Sequence, residues 1–123
     1  MNKTILILGG GWGGLTAAHA LKGMLPNEYR ITVIEKNQSF VFYPSLLRAM
    51  IGETSGLKYI ESPFKKLLKK DLEIINEAVI RITPETKTVY TNTQSIQADF
   101  IIIALGAELF PETIPGFNEY CLN

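Results

Sequence analysis

Five of the chain's ten glycines fall in one hexapeptide, Gly9-Gly10-Gly11-Trp12-Gly13-Gly14. Gly9, Gly11 and Gly14 satisfy the spacing G-x-G-x-x-G, and Glu35 stands 21 positions beyond Gly14. Residues of these types can hold the pyrophosphate and a ribose of a dinucleotide. Gly9 permits a tight turn, Gly11 lets the backbone approach a phosphate, and Gly14 lets a helix pack close to a strand. Free backbone N–H groups at the start of that helix would meet the phosphate charge. Glu35 would accept hydrogen bonds from a ribose diol, and its charge repels a 2′-phosphate. NADP is therefore disfavoured, and FAD and NAD remain.

Other chemistry-bearing residues are few. Gly13 and Trp12 complete the loop and count as candidate cofactor contacts. Trp12 either shields the pyrophosphate or packs on the sheet, and packing is the preferred reading. Lys36 follows the ribose acid and either touches the adenosine phosphate or ribose edge or is solvated. His19 is the only histidine and has no Ser, Cys or acidic partner in sequence reach. Neither a general base nor a metal site is expected there. No residue can be assigned as the catalytic acid or base.

The elements that must position these residues follow from the apolar pattern. Thr4–Leu8 is a short apolar run of the kind buried on both faces in a parallel sheet. Leu15–Leu25 has Ala17, Ala18, Leu21 and Leu25 at helical spacing and stops at Pro26-Asn27. Arg30–Glu35 is the next strand, β-branched in its middle. Together they make a right-handed β-α-β unit. Phe40–Glu53 has no clean period and reads as a loop with a short helix. Ser62-Pro63 offers an N-cap and a first-turn proline for a helix running to Lys70. Its Phe64, Leu67 and Leu68 face one side, and Lys65, Lys66, Lys69 and Lys70 the other. That basic face is expected to be solvated rather than bound to anionic lipid. Strands are expected at Leu72–Ile75, Glu77–Thr83 and Lys87–Thr91, with a turn at Pro84-Glu85-Thr86. Ile96–Asp99 leads into Phe100–Leu105, whose composition predicts full burial, closed by Gly106. Pro111, Pro115 and Gly116 mark an exit loop.

Composition narrows the class. With 123 residues, 46% hydrophobic and 20% charged, the chain fits about one globular domain. Lys+Arg and Asp+Glu are both 12, so there is no basic field for nucleic acid, and no nucleic-acid partner is expected. Cys121 is the only cysteine, which excludes an internal disulfide and points to a reducing compartment. No apolar run approaches the roughly 20 residues that span a bilayer. Met1–Leu8 lacks the charged and long apolar regions of a signal peptide.

The segment after Glu35 separates FAD from NAD. An NAD domain continues with another helix and parallel strand, whereas Lys36–Asp71 and a β-meander intervene here. In that respect the chain resembles the flavoproteins of the glutathione-reductase superfamily. Their FAD domain has this meander and a strand ending in an Ala-Thr-Gly-like turn, here Ala104-Leu105-Gly106, followed by Pro115-Gly116. Phe40-Val41-Phe42-Tyr43-Pro44-Ser45-Leu46-Leu47 with Gly52-Glu53 is similar to the same stretch in type II NADH:quinone and sulfide:quinone oxidoreductases. The disulfide reductases carry a cysteine pair in that region, which is absent here.

The resemblance implies an α/β, Rossmann-like doubly wound parallel sheet with a β-meander crossover, residues 1–123 being the N-terminal part of an FAD-binding domain. It implies FAD as cofactor, with Pro44 and Ser45 bordering the flavin. It also implies that Ala104 and Gly106 pass close to the cofactor. Val79, after Ala78, lies where the family's backbone meets adenine; an ordinary core strand pair is the equal alternative. NADH or sulfide and a quinone are the implied partners. The implied site is cytoplasmic, at the inner face of a membrane reached through a C-terminal part beyond this chain. Alone, the chain is expected to be inactive. The redox cysteine of sulfide:quinone oxidoreductases lies some way beyond the Pro-Gly, but Cys121 is read here as an ordinary loop residue. The rival readings are an NAD-binding dehydrogenase fragment and a non-catalytic nucleotide-binding module.

Overall fold

Strand β1 (Lys3–Leu8) and strand β2 (Tyr29–Ile34) run parallel in register, Ile5 beside Ile31 and Leu8 beside Ile34. They are joined by helix α1 (Trp12–Met24). The protein is described by a computed structural model at residues 3–53, 60–69, 71–108 and 110–120. Strand β5 (Glu73–Ile75) extends the sheet beside β2, and β9 (Phe100–Ile103) pairs with the other side of β1. The order is β5-β2-β1-β9, all parallel.

Alternation along β1 explains why both faces are apolar. Ile5 and Ile7, with Ile31 and Val33, turn toward Ala17, Ala18 and Leu21 of α1 and Leu25 just past its end. Leu6, Leu8 and Ile34 turn the other way, onto Val89, Ala98, Ile82, Ile96 and Ile101. The second cover is the antiparallel meander β6 (Val79–Thr83), β7 (Thr88–Thr91) and β8 (Ser95–Gln97). Each fully buried Leu or Ile contributes on the order of 1.5–3 kcal/mol relative to exposure. Two layers on one sheet thus fix the strand ends that carry the glycines and Glu35. Asp99 anchors the meander's exit: its Oδ2 accepts the Thr4 N–H at 2.7 Å, and its own N–H reaches the Thr4 carbonyl at 3.0 Å.

Three expectations need correction. The Phe100–Leu105 run is not fully buried. Strand β9 is an edge of the described sheet, and Phe100, Ile103 and Leu105 are 50%, 65% and 52% exposed. Composition reports a strand that fits a two-sided core; it does not report how many neighbours that strand has. The second correction is the helix from Ser62. Instead, β4 (Glu61–Pro63) pairs antiparallel with β3 (Ser39–Val41), Phe40 beside Ser62, and α3 is a single turn, Phe64–Leu67, with no side-chain cap. Pairing continues on both sides: the Phe42 N–H donates to the Ile60 carbonyl and the Phe64 N–H to that of Gln38. Ile60 and Phe64 are buried, so tertiary burial overrides the local capping signal. Lys70 lies outside the described residues. Third, α1 begins three residues earlier than Leu15, at Trp12, because Gly11 serves as its N-cap and accepts the Leu15 N–H. After β3, a 3-10 turn (Tyr43–Ser45) leads into helix α2 (Leu46–Met50). The exit loop holds a 3-10 turn (Pro111–Thr113) and helix α4 (Phe117–Tyr120).

Candidate functional site

The carboxyl ends of β1, β2 and β9 open into one cleft of about 1130 Å³. Strand order reverses between β1 and β9, and open parallel sheets bind ligands outside such a switch point. Gly9, Gly11, Trp12, Gly13, Glu35, Lys36, Val79, Ala104 and Gly106 all line it.

The glycines do different work. Gly9 has φ +101°, and a Cβ there would stand 2.2 Å from the Ala104 carbonyl oxygen. A Cβ on Gly14 would stand 1.9 Å from the Gly9 carbonyl oxygen, so this glycine sets how closely α1 meets β1. It is buried beneath the loop rather than lining the cleft. A Cβ on Gly11 would meet nothing within 4 Å, and the backbone there (φ −71°, ψ −167°) suits any residue. Its glycine keeps space open at the mouth of α1. No side chain caps that helix end and no acidic residue occupies its first turn. The positive end and its N–H groups are left for an anion. The open space at Gly11 beside that end fits a diphosphate.

Glu35 follows β2 directly and is held by three N–H donors. Gly10 N donates to Oε2 at 2.7 Å; Asn37 N and Nδ2 both donate to Oε1 at 2.9 Å. Asn76 donates to the Asn37 carbonyl at 2.9 Å from the end of β5. Lys36 forms an ion pair with Glu108 on the opposite lip. Trp12 packs against aromatic rings of the β3 segment. Its ring sits edge-on to Phe40 and Phe42, 5.3 Å from each, and it is 55% exposed along the cleft wall. Glu77 stands beside Val79, its Oε1 accepting from Thr93 Oγ1 at 2.7 Å and Gln94 Nε2 at 3.1 Å. The Thr91 hydroxyl, and then that of Thr93, hold this carboxyl below the usual carboxylate range.

Pro44 and Ser45 lie just past the lining, which ends on that segment at Tyr43. Cys121 lies outside the described residues. Sequence reasoning missed Gly10, Asn37, Asn76 and Glu77. Gly10 had a signal: inside a glycine run its Cβ would stand 2.8 Å from the Phe64 ring. The asparagines had none, because Asn37 and Asn76 are brought together only by the β2–β5 pairing.

The fold and cleft define an α/β dinucleotide-binding domain. The Pyridine nucleotide-disulphide oxidoreductase family matches residues 3–123, and the chain belongs to that family, whose members are flavin-dependent. It is 33% identical over 111 residues to the sulfide-quinone reductase of Aquifex aeolicus, covering 89% of this chain and 25% of that protein. It is 27% identical to the mitochondrial external alternative NAD(P)H-ubiquinone oxidoreductase B1 of Solanum tuberosum, covering 97% of this chain and 22% of the relative. The solved Aquifex aeolicus sulfide:quinone oxidoreductase superposes with TM-score 0.81 at 29% identity, over 95% of this chain and 27% of that one. NDH2 of Plasmodium falciparum superposes at 0.78 with 24% identity over 98% of this chain and 25% of that one, a likeness of fold. The chain spans about a quarter of the length of these curated relatives. Among the described residues no helix is long and apolar enough to cross a membrane.

Proposed function

We propose that this chain is the N-terminal part of an FAD-binding domain and that the natural protein carrying it passes electrons from NADH or sulfide to a quinone. Gly9, Gly11 and Gly13, with the start of α1, hold the pyrophosphate, while Gly14 brings that helix against β1. Glu35 takes the adenosine ribose, and Lys36 stands at the ribose edge. Val79 meets the adenine. Trp12 shields the diphosphate from water with Phe40 and Phe42 behind it. Ala104 and Gly106 let the chain pass the cofactor closely, and Pro44 and Ser45 border the flavin from beyond Tyr43. The observation that carries this reading is the placement of an open glycine at an uncapped helix start and an oriented carboxylate on one rim.

The two-electron chemistry, from reduced donor to quinone, belongs to the flavin. The residues of this chain bind it and fix its position, and none of them is assigned a proton. A quinone acceptor is carried in the bilayer, so this reading places the natural protein at a membrane surface.

The test is to purify the natural protein carrying residues 1–123, extract its cofactor for mass analysis, and assay it with NADH and with sulfide plus a soluble quinone. FAD and turnover with either donor support the proposal. NAD in place of FAD supports a dehydrogenase fragment, and bound FAD without turnover a nucleotide-binding module. Vesicle flotation tests the membrane.

A further inference from the structure

The ribose carboxylate does not stand free, and what holds it leads to a second residue for cofactor recognition. An ionised carboxylate offers about four lone-pair sites. Three of those on Glu35 are already used, two on Oε1 by the backbone and side-chain N–H groups of Asn37 and one on Oε2 by Gly10 N. The unfilled site is on Oε2, the oxygen anchored to the glycine loop. Rotating the carboxylate would break two charge-assisted bonds to Asn37 at once. The Asn37 carbonyl is itself clamped by Asn76 Nδ2 at 2.9 Å. That bond bridges the residues following β2 and β5, which pair in parallel.

We propose that Asn37 is a positioning residue that aims Glu35 at the cofactor's ribose, with Asn76 as its support. This inference rests on the FAD reading above. Asn37 keeps Oε1 occupied and so turns the open acceptor of Oε2 toward a ribose hydroxyl. Without the side-chain donor, the carboxylate keeps only the Asn37 backbone N–H on Oε1 and can turn. Some of the discrimination for a hydroxylated ribose is then lost, although Glu35 remains.

The experiment compares FAD with its analogue carrying 2′,3′-dideoxyadenosine, titrated into the apo form of the natural protein. The unaltered protein is expected to prefer FAD at least about tenfold, the value of one hydrogen bond to a charged group. In Asn37→Ala that preference falls by about threefold or more while affinity for the dideoxy analogue is nearly unchanged. Asn37→Asp, which sets a second carboxylate beside Glu35, lowers it further. Asn76→Ala lowers it by less, and it decides the matter if the Asn37 variants do not fold. An undiminished preference in these variants overturns the proposal. So does an equal loss for FAD and for the analogue, the mark of a purely structural role. An unaltered protein that binds no FAD overturns the FAD reading, and this inference falls with it.

Discussion

Replacing Gly11 with valine separates the two uses of the glycine loop. Within the fold the substitution meets little resistance. A Cβ at Gly11 has no neighbour within 4 Å, and φ −71° with ψ −167° is extended backbone open to β-branched residues. The cost to the protein itself is the loss of a tolerated N-cap residue, on the order of 1 kcal/mol. For a chain of this size that is a drop of roughly 4 °C in melting temperature. Valine at Gly14 is a different matter. Its Cβ would stand 1.9 Å from the Gly9 carbonyl oxygen, and α1 would have to leave β1. Valine at Gly9 would combine φ +101° with a 2.2 Å approach to the Ala104 carbonyl oxygen. Each of these exceeds the roughly 4 kcal/mol that marks a severe substitution. The cofactor sees the reverse order. An isopropyl group at position 11 occupies the space beside the uncapped start of α1, where the diphosphate must come within hydrogen-bond distance. Thermal melts of the apo forms and FAD titration by flavin fluorescence give both quantities. The expected result is a Gly11→Val protein that melts near the unaltered one and retains no flavin, beside Gly9→Val and Gly14→Val proteins that fail to fold. A Gly11→Val protein that purifies with one FAD per chain refutes the assignment of this loop as the phosphate cradle.

Further outcomes are expected. Glu35→Arg weakens FAD binding at least tenfold, since it removes an acceptor for a ribose hydroxyl, worth on the order of 1.5–3 kcal/mol, and adds a bulky cation; equilibrium dialysis measures it. Glu77 has its carboxyl lowered by Thr91, Thr93 and Gln94, so its stabilising contribution is complete above the usual carboxylate range. That contribution disappears as pH falls through its depressed folded value. Glu77→Gln therefore flattens the acid limb of the stability-pH curve, and an unchanged curve in urea melts removes Glu77 from that role. The 123-residue polypeptide on its own is expected to self-associate in light scattering and to lack NADH:quinone and sulfide:quinone turnover. The exposed Phe100 and Ile103 of the edge strand β9, with Leu105 just beyond it, drive the association. A monomeric, active polypeptide would count against it.

The frame that carries the chemistry can be read from local residue patterns. The apolar runs Thr4–Leu8 and Arg30–Ile34, the glycine spacing and the strand-end Glu35 are local features. Each is set by steric rules acting over a few residues, so each is legible in the sequence alone. The parallel pairing of β1 with β2 followed from the intervening helix. Features that depend on neighbours distant in sequence emerge only from the folded packing. Ser62-Pro63 carries every local mark of a helix start, yet it is a strand, because Phe40 and the buried Ile60 and Phe64 hold it there. The Phe100 run looks like an interior strand but lies at an edge. Asn37 and Asn76 are 39 positions apart and carry no motif. Only the β2–β5 ladder places one where it can clamp the other, and with it the carboxylate. Spacing can name Glu35 as the candidate acid for a ribose. Two of the bonds that orient it come from Asn37, two residues along the chain, but those from Gly10 to Glu35 and from Asn76 to Asn37 cross between strands and exist only once the sheet has formed.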